Sequence, residues 1–136
     1  MRNTVADIDA PLDVIVNLCD PEEIVVLAAG AVLFREGDEA QAMYVVKSGR
    51  LRILSGSAIF EDVGPGGILG EMGIIEKDTP RSATVIARTR SELFKIDSTT
   101  FLSLIATTPD FAVTVMRIMA RRLRVMNRRY RTSALT

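Results

Sequence analysis

Short apolar runs separated by turn residues dominate the chain between residues 24 and 97. Seven of these runs have the composition of β-strands, and they cover residues 24–27, 31–34, 43–46, 51–54, 58–63, 83–87 and 92–96. Glycine stands in most of the intervals, as at Gly30, Gly37, Gly49 and Gly56. Many short strands at a spacing of roughly 8–12 residues favour a sandwich or barrel over repeated βαβ units. The pattern therefore predicts a mainly β fold.

The periodicity becomes helical on both sides of this β-rich region. Residues 12–18 predict a short N-terminal helix, which ends before Pro21. After residue 96, Asp97 or Ser98 suits the N-cap of a short helix that runs to about residue 106. The Thr-Pro-Asp sequence at 108–110 is a strong helix start, and it predicts a last helix that extends to about residue 131.

The last predicted helix carries a regular apolar stripe. Its members are spaced 4, 3, 4, 3 and 4 residues apart, as in an a/d seam: Ala112, Met116, Met119, Leu123, Met126 and Tyr130. A stripe of this length often pairs with its copy in another chain, which predicts a homodimer through Met116, Met119, Leu123 and Met126. Packing of the same stripe on the β-barrel is the other interpretation, and the sequence leaves both open.

The composition restricts the chemistry that the chain can perform. The 136 residues include no histidine and one cysteine, Cys19, so the residues of Ser-His-Asp or Cys-His catalysis, of the usual zinc sites and of an internal disulfide are absent. We therefore expect no enzymatic activity, no metal and no cofactor. The longest nearly apolar run, residues 24–34, is too short to span a bilayer, and the N-terminus lacks the apolar region of a secretory signal. A cytoplasmic location is expected.

Charge is distributed unevenly along the chain, although the formal net charge is zero. Residues 1–110 hold all 17 acidic side chains, whereas residues 111–136 hold seven arginines and no acid. A basic helix can bind nucleic acid. However, arginines near a helix C-terminus also interact favourably with the helix dipole and offset the acidic remainder. Charge compensation is the favoured interpretation and nucleic-acid binding the alternative, because the segment shows no base-stacking pattern.

Residues 64–85 contain the groups that a cyclic phosphodiester would require. The segment has a glycine-rich entry, one apolar helical turn, and a polar turn before the next strand. Gly70 allows close backbone approach beside helical N–H groups that can receive an anion. Arg81 can neutralise one negative charge, Ser82 adds a hydroxyl donor, and Glu71 can accept from a sugar hydroxyl. Such pairs also occur as ordinary solvated ion pairs, so their spacing alone leaves the site open.

Residues 70–85 resemble the phosphate-binding cassette of the cyclic-nucleotide-binding domain family, which includes the receptor domain of the catabolite activator protein. Residues 30–38 are similar to the family's early barrel turn, residues 43–49 to the next hairpin, and residues 109–125 to the long helix that closes the pocket. The resemblance covers about residues 22–131. It implies a double-stranded β-helix, or jelly-roll barrel, of about eight strands, with a short N-terminal helix, a short cassette helix and two C-terminal helices.

The implied organisation has three parts. An N-terminal segment occupies residues 1–20, the barrel occupies residues 21–97 with the cassette at about 66–84, and the C-terminal helices occupy residues 98–136. Relatives usually fuse this receptor to an effector. We expect this chain to act as a stand-alone receptor without a DNA-binding domain, whose output passes through an unknown effector protein or through self-association.

The resemblance implies how the cassette would hold the phosphate. Gly70 and the amides that follow it, those of Glu71, Met72 and Gly73, should meet the phosphate group. Arg81 should pair with its charge, and Ser82 should donate to one of its oxygens.

The remaining implied roles concern the sugar, the base and the long helix. Glu71 should accept from the ribose 2′-hydroxyl and also pair with Arg122, so that one carboxylate contacts both ligand and helix. The expected pocket wall consists of Ile53, Phe60 and Ala83, although the first two also suit an ordinary barrel core. The lid helix should contribute Arg122, Met126 and Asn127.

The base that the site would accept is less well defined by the sequence. Where the activator protein has hydroxyl side chains that read adenine, this chain has Met126, which can only pack, and Asn127, whose amide could read a base edge. Ser82 is neither the alanine typical of cAMP-selective eukaryotic domains nor the threonine of cGMP-selective ones. We expect cAMP as the ligand, with cGMP as the alternative. A degenerate barrel that binds proteins and no nucleotide is a further alternative.

Overall fold

The computed structural model describes residues 24–135, with side chains described as far as Tyr130. Eight strands occur in this part of the chain: β1 (Ile24–Leu27), β2 (Val32–Phe34), β3 (Ala42–Ser48), β4 (Leu51–Ser55), β5 (Ala58–Val63), β6 (Ile68–Leu69), β7 (Thr84–Ala87) and β8 (Ser91–Asp97). Three helices accompany them: α1 (Glu71–Ile75), α2 (Ser98–Thr107) and α3 (Pro109–Leu135). The helix predicted at residues 12–18 lies outside the described residues.

The strands form two antiparallel sheets of four strands each. One sheet has the order β1-β8-β3-β6 and the other the order β2-β7-β4-β5. Side chains from both sheets meet in one buried cluster, which includes Val46 and Leu93 from the first sheet and Leu51, Val63 and Val85 from the second. Two antiparallel sheets packed in this way confirm the predicted eight-stranded jelly-roll barrel.

The first sheet is covered on both faces, and its sequence shows why. Successive side chains of a strand point to opposite faces. In β3, Met43 and Val45 pack against the helices, whereas Val46 belongs to the cluster between the sheets. In β8, Phe94 packs against the helices, and Leu93 belongs to the cluster between the sheets. Both central strands therefore place buried apolar side chains on each face of the sheet, and one of these faces holds the helices against the barrel.

The seven strands predicted from the sequence all occur, with bounds that differ by at most two residues. The eighth strand, β6, was not predicted because it has only two residues and follows a glycine-rich turn. It forms because Tyr44 and Val45 of β3 pair with Leu69 and Ile68. Long-range pairing, rather than local propensity, creates this strand.

The two helices that follow the barrel begin as predicted. Asp97 is the N-cap of α2, and its carboxylate accepts a hydrogen bond from the Thr100 amide at 2.8 Å. The helix ends at Thr107, and α3 begins at Pro109. Phe101 of α2 and Phe111 of α3 meet edge-on with ring centroids 5.9 Å apart. This aromatic contact holds the two helices together at their junction.

The face of α3 that packs on the barrel is not the predicted apolar stripe. Phe111, Val115 and Ile118 are buried against β3 and β8, and full burial of such a side chain stabilises the fold by about 1.5–3 kcal/mol. From the stripe, Met119 packs at the edge of this cluster, whereas Met116 is 58% exposed and Tyr130 is 75% exposed. Met116 and Tyr130 therefore do not pack on the barrel, whereas Met119, Leu123 and Met126 line a cavity between the helix and the second sheet.

Within residues 24–135, no single helix has the length and apolar character needed to cross a membrane. The pair Ser98–Thr107 and Pro109–Tyr130 reaches the required length and hydropathy only when taken together, and it bends by 114° at its break.

Candidate functional site

A cavity of about 430 Å³ lies between the second sheet, α1 and α3. Its volume falls within the range of about 300–1,000 Å³ that is usual for small-molecule sites. The barrel contributes Ile53, Phe60 and Val85, and the long helix contributes Met119 and Leu123. The walls are mostly apolar, with charged side chains gathered where the cassette meets the barrel.

The main chain of Arg81 is fixed by the turn that precedes β3. Its amide donates to the Asp38 carbonyl at 2.8 Å, and its carbonyl accepts from the Gly37 amide at 2.8 Å. Gly37 has a φ of 90°, a conformation that glycine adopts without the penalty of a side chain. The early turn and the end of the cassette are thereby joined, and the arginine enters the cavity wall from a rigid position.

The Arg81 guanidinium is buried, with only 7% of the residue exposed. Its Nη1 donates to the Gly70 carbonyl at 3.2 Å, and its Nη2 donates to the Ala42 carbonyl at 2.7 Å. The ring of Phe34 lies beneath it, with its centroid 4.1 Å from Cζ. Burial lowers the pKa of Arg81, an effect that Tyr44 and nearby carboxylates oppose, but an arginine remains protonated in a protein.

One donor of this guanidinium is left without a partner. Among the described residues, the Nε of Arg81 is the only fully buried side-chain nitrogen or oxygen without a hydrogen bond. Leaving a buried charged donor unpaired costs more than about 1–3 kcal/mol. A guanidinium that lies on a cavity wall and keeps an unpaired donor is suited to bind an anion.

Two glycines of the cassette make room for this guanidinium. Gly70 has a φ of 74°, and a Cβ at this position would lie 2.5 Å from Nη1 of Arg81. A Cβ at Gly73 would lie 2.5 Å from the Ala40 Cβ and 3.1 Å from the same Nη1. Any side chain at these positions would displace the arginine or the neighbouring backbone. Both glycines are therefore needed for the close approach of cassette and arginine.

The amides of α1 differ in their availability. The Gly73 amide donates to the Gly70 carbonyl at 3.2 Å and is already used within the turn. The amides of Glu71 and Met72 belong to the first turn of the helix, where N–H groups have no intrahelical acceptor. Ser82 is exposed, and its hydroxyl has only a long contact of 3.9 Å with the sulfur of Met72.

Arg122 of α3 connects the long helix to the cassette. Its Nη1 donates to Oε1 of Glu71 at 2.9 Å, its Nε donates to Oε1 of Glu61 at 2.9 Å, and its Nη2 donates to the Ile68 carbonyl at 2.7 Å. Burial acts to lower the pKa of Arg122, but the two carboxylates outweigh it and the net shift is upward. Glu71 is 5% exposed and lines the cavity, so this carboxylate contacts both α3 and the ligand space.

A second arginine of α3 fastens the helix further along. Arg129 donates to the carbonyls of Ile59 and Phe60 at 3.2 and 2.8 Å, and its guanidinium lies 5.0 Å from the Phe60 ring centroid. The sequence analysis did not predict this contact or that of Glu61. The sequence feature that could have predicted the Arg129 contact is its position seven residues after Arg122, which places both arginines on one face of the helix.

The cavity brings together most of the residues that the sequence predicted for the site. Its lining includes Ile53, Phe60, Gly70, Glu71, Met72, Gly73, Arg81, Ser82, Ala83, Arg122 and Met126. Asn127 is exposed and does not line the cavity, because it lies about 100° around the helix from Met126. The contact of Asn127 with a base stays a prediction, and the structure places this residue outside the lining. Lining residues that were not predicted include Phe34, Ser55, Met119 and Leu123.

Comparison with known proteins gives consistent results. The catabolite activator protein of Thermus thermophilus superposes with a TM-score of 0.77 at 25% identity, over 94% of this chain and 63% of that chain. A protein from a cyclic-GMP-dependent signalling pathway that regulates bacterial phytopathogenesis superposes with a TM-score of 0.72 at 26% identity, over 83% of this chain and 91% of that chain.

A curated relative is a much longer protein. Lysophospholipase NTE1 of Chaetomium globosum is 36% identical over 103 residues, which cover 72% of this chain and 7% of that protein. The chain thus spans a small fraction of the length of such relatives. The family model described as the cyclic nucleotide-binding domain matches residues 24–108, and it identifies the barrel as a regulatory rather than a catalytic fold. The chain belongs to the cyclic nucleotide-binding domain family.

Proposed function

We propose that this chain is a receptor for cAMP that reports occupancy by changing the position of α3. The observation that carries the proposal is the buried Arg81 guanidinium, whose Nε has no partner among the described residues, on the wall of a cavity that Glu71 also lines. In this proposal the cyclic phosphate pairs with Arg81 and accepts from cassette amides and Ser82. The ribose 2′-hydroxyl donates to Glu71, and the base lies between Phe60 and the long helix.

Signalling would pass through Glu71, because this carboxylate would contact the ribose while it accepts from Arg122 at 2.9 Å. A ligand can shift α3 only by binding one helix position more tightly than another. Ligand bound at Glu71 would strengthen or weaken its bond to Arg122 and so bias that equilibrium. The same link makes the helix part of the binding site.

Adenine is favoured over guanine because most of the space beside α3 is apolar, and guanine carries more polar groups to desolvate. Cyclic GMP is the competing ligand, since one structural neighbour belongs to a cyclic-GMP-dependent pathway. We propose no catalytic role for the chain, since it has no histidine. The occupied receptor would act on a second copy of the chain or on an effector protein.

Calorimetric titration of the full chain with cAMP tests the proposal. Arg81→Ala should weaken binding by about 2–5 kcal/mol, or roughly 1.5–3.5 decades in Kd, because it removes one member of a buried charge pair. Arg124→Ala is the control, since Arg124 is an exposed arginine that does not line the cavity. Binding of cAMP by Arg81→Ala with the affinity of the unsubstituted chain would refute the assignment.

A further inference from the structure

A second cavity of about 290 Å³ lies between α3, the end of β5 and the turn that joins β5 to β6, and we call it the turn cleft. Part of its lining is apolar, because Val63, Ile68 and Ile118 line it and are only 2–3% exposed. The charged side chains of the lining are two carboxylates and three arginines: Glu61, Asp62, Arg50, Arg121 and Arg122. Arg122 is the only residue that the turn cleft shares with the cavity beside the cassette.

The turn that forms one wall of the cleft is held in one conformation. It reads Gly-Pro-Gly-Gly at residues 64–67, Gly66 has a φ of 85°, and the Gly67 amide donates to the Gly64 carbonyl at 3.0 Å, the pattern of a type II turn. Two further hydrogen bonds of 2.9 Å attach it to β3, from the Gly66 amide to the Val46 carbonyl and from the Val46 amide to the Gly67 carbonyl. This wall is therefore formed by the fold and needs no ligand to shape it.

Arg50 lies over this turn because residue 64 has no side chain. A Cβ at Gly64 would lie 2.7 Å from Nη1 of Arg50 and 3.2 Å from its Cζ, so a side chain there would displace the guanidinium. The main chain of Arg50 is fixed as well, since its amide donates to the Thr89 hydroxyl at 3.0 Å and its carbonyl accepts from the Arg88 amide at 2.7 Å. The guanidinium therefore reaches the cleft from a defined position.

The two carboxylates of the cleft already have arginine partners. Glu61 accepts from Arg122 at 2.9 Å, and Asp62 accepts two hydrogen bonds from Arg52, at 2.8 and 3.1 Å. Arg88 also lies 3.6 Å from Asp62. The hydrogen bond from Arg52 is the main reason why the pKa of Asp62 lies below its usual range. Both negative charges are thus matched within the fold.

Two arginines of the cleft have no such partner. Within residues 24–130, the side chains of Arg50 and Arg121 form no hydrogen bond and no ion pair. Both are exposed, and they come from different elements, one from the barrel and one from α3. Guanidinium groups stay protonated in proteins and bind phosphate through two parallel hydrogen bonds. Two available guanidinium groups beside an apolar surface fit a doubly charged anion with an apolar body.

We infer that the turn cleft is a second ligand site, which binds a phosphomonoester through Arg50 and Arg121. A phosphomonoester carries a charge of about −1.5 to −2 at neutral pH, which matches two guanidinium groups. The volume of the cleft lies at the lower end of the range of about 300–1,000 Å³ for small-molecule sites, so it holds a body about the size of one ring. A free metabolite or a phosphorylated side chain of a partner can supply this group. The site is independent of cAMP binding at the cassette.

The experiment is a calorimetric titration of the full chain with phenyl phosphate at low ionic strength, where exposed charges are least screened. We expect saturable binding of one molecule per chain. Phenyl sulfate carries a single charge and should bind at least about fivefold more weakly, and inorganic phosphate should also bind more weakly because it lacks the ring. Absence of saturable binding by phenyl phosphate, or equal binding of phenyl sulfate, would overturn the inference.

Four variants distinguish the turn cleft from the cassette. Arg50→Ala and Arg121→Ala should each weaken phenyl phosphate binding by at least about fivefold. Arg124→Ala changes an exposed arginine that lines neither cavity, and Arg81→Ala removes the cassette arginine, so both should leave this binding within about twofold. Unchanged binding in the two cleft variants, or its loss in Arg81→Ala, would overturn the inference.

Titration with a short phosphoserine peptide distinguishes the two sources of the phosphomonoester. Tighter binding than phenyl phosphate, weakened by Arg50→Ala and Arg121→Ala, would support a phosphorylated partner protein. Weaker binding of the peptide, with phenyl phosphate still bound at the two arginines, would support a free metabolite.

Discussion

At the scale of single residues, the geometry around Arg81 determines what the cassette can bind. Two carbonyls and the Phe34 ring hold the guanidinium, while Gly70 and Gly73 leave the space that it occupies. The unpaired Nε is an unfavourable feature of the folded chain. We propose that a bound anion relieves it. The two cassette glycines thus leave the space that the arginine occupies.

Substitution of Gly70 by alanine separates this steric role from backbone strain. The new Cβ would lie 2.5 Å from Nη1 of Arg81 and would displace the guanidinium, so we expect cAMP affinity to fall by at least about tenfold. Gly30→Ala is the matched control, because Gly30 has a φ of 87° but an added Cβ would meet nothing within 4 Å. Both variants should lose about 1–2 kcal/mol of stability from the left-handed conformation. Equal affinities for cAMP in the two variants would contradict the steric argument.

The two carboxylates that accept from Arg122 provide a second comparison at this scale. Glu61 and Glu71 both hold the helix arginine at 2.9 Å, but only Glu71 lines the cavity. We expect Glu71→Ala to weaken cAMP binding by about tenfold or more and Glu61→Ala to change it by less than about threefold. Hydrogen exchange of α3 amides should be faster in both, because each loses one attachment of the helix. Similar affinity losses in both variants would argue against ribose binding at Glu71.

At the scale of elements, the strands with strong local signals were predicted and those made by long-range contacts were not. The runs at 24–27 and 58–63 coincide with β1 and β5 because apolar residues and flanking glycines define them locally. The strand β6 forms by pairing with β3, and no local sequence pattern indicates this pairing. On α3, the apolar stripe was recognised, but the buried face of Phe111, Val115 and Ile118 was missed because it lies beside that more regular stripe.

The N-cap of α2 gives a prediction about pH. The Thr100 amide holds the pKa of Asp97 below its usual range, so Asp97 stabilises the fold above the unfolded pKa of about 3.9. This contribution is lost as the pH falls through the lower folded value. Asp97→Ala should lose about 1 kcal/mol at pH 7, whereas Asp97→Asn should lose less because asparagine also caps. Urea unfolding at several pH values measures both effects.

The control for this prediction is the Asp97→Asn variant, compared across pH with the unsubstituted chain. The stability advantage of the unsubstituted chain should shrink as the pH falls from about 5 towards 3, because the carboxylate becomes protonated. An advantage that stayed constant over this range would mean that the Asp97 carboxylate does not stabilise the helix through its charge.

At the scale of the whole molecule, the residue types indicated only the cassette, and the resemblance to the family supplied the distant lining residues Ile53, Phe60, Arg122 and Met126. Gly70, Glu71 and Arg81 lie within one short segment, and their residue types suit an anion site, but the resemblance was needed to assign it. The cavity also needs Phe34 from an earlier strand and Leu123 from the last helix, and only the folded chain brings these together. The contact between Glu61 and Arg122 joins residues far apart in the chain, and no local sequence pattern predicts it.

The exposed stripe of α3 is the feature of the whole molecule that points to a partner. A different face of the helix packs on the barrel, and four residues of the stripe are exposed: Met116, Leu123, Met126 and Tyr130. We propose that a second copy of the chain covers them through a/d packing. Met116 and Tyr130 do not line the cavity, so they can be changed without removing a cavity side chain.

The double variant Met116→Glu, Tyr130→Glu should therefore convert a dimer into a monomer, because four buried carboxylates would face one another across the seam. Arg124→Glu changes the net charge by the same amount on a different face of the helix and should leave the dimer intact. Sedimentation velocity with and without cAMP measures the mass of each chain, and titration with cAMP verifies that the double variant still folds. A monomeric unsubstituted chain, or an unchanged dimer in the double variant, would exclude the stripe as the interface. Dissociation by Arg124→Glu as well would instead indicate that the arginine face contributes to association.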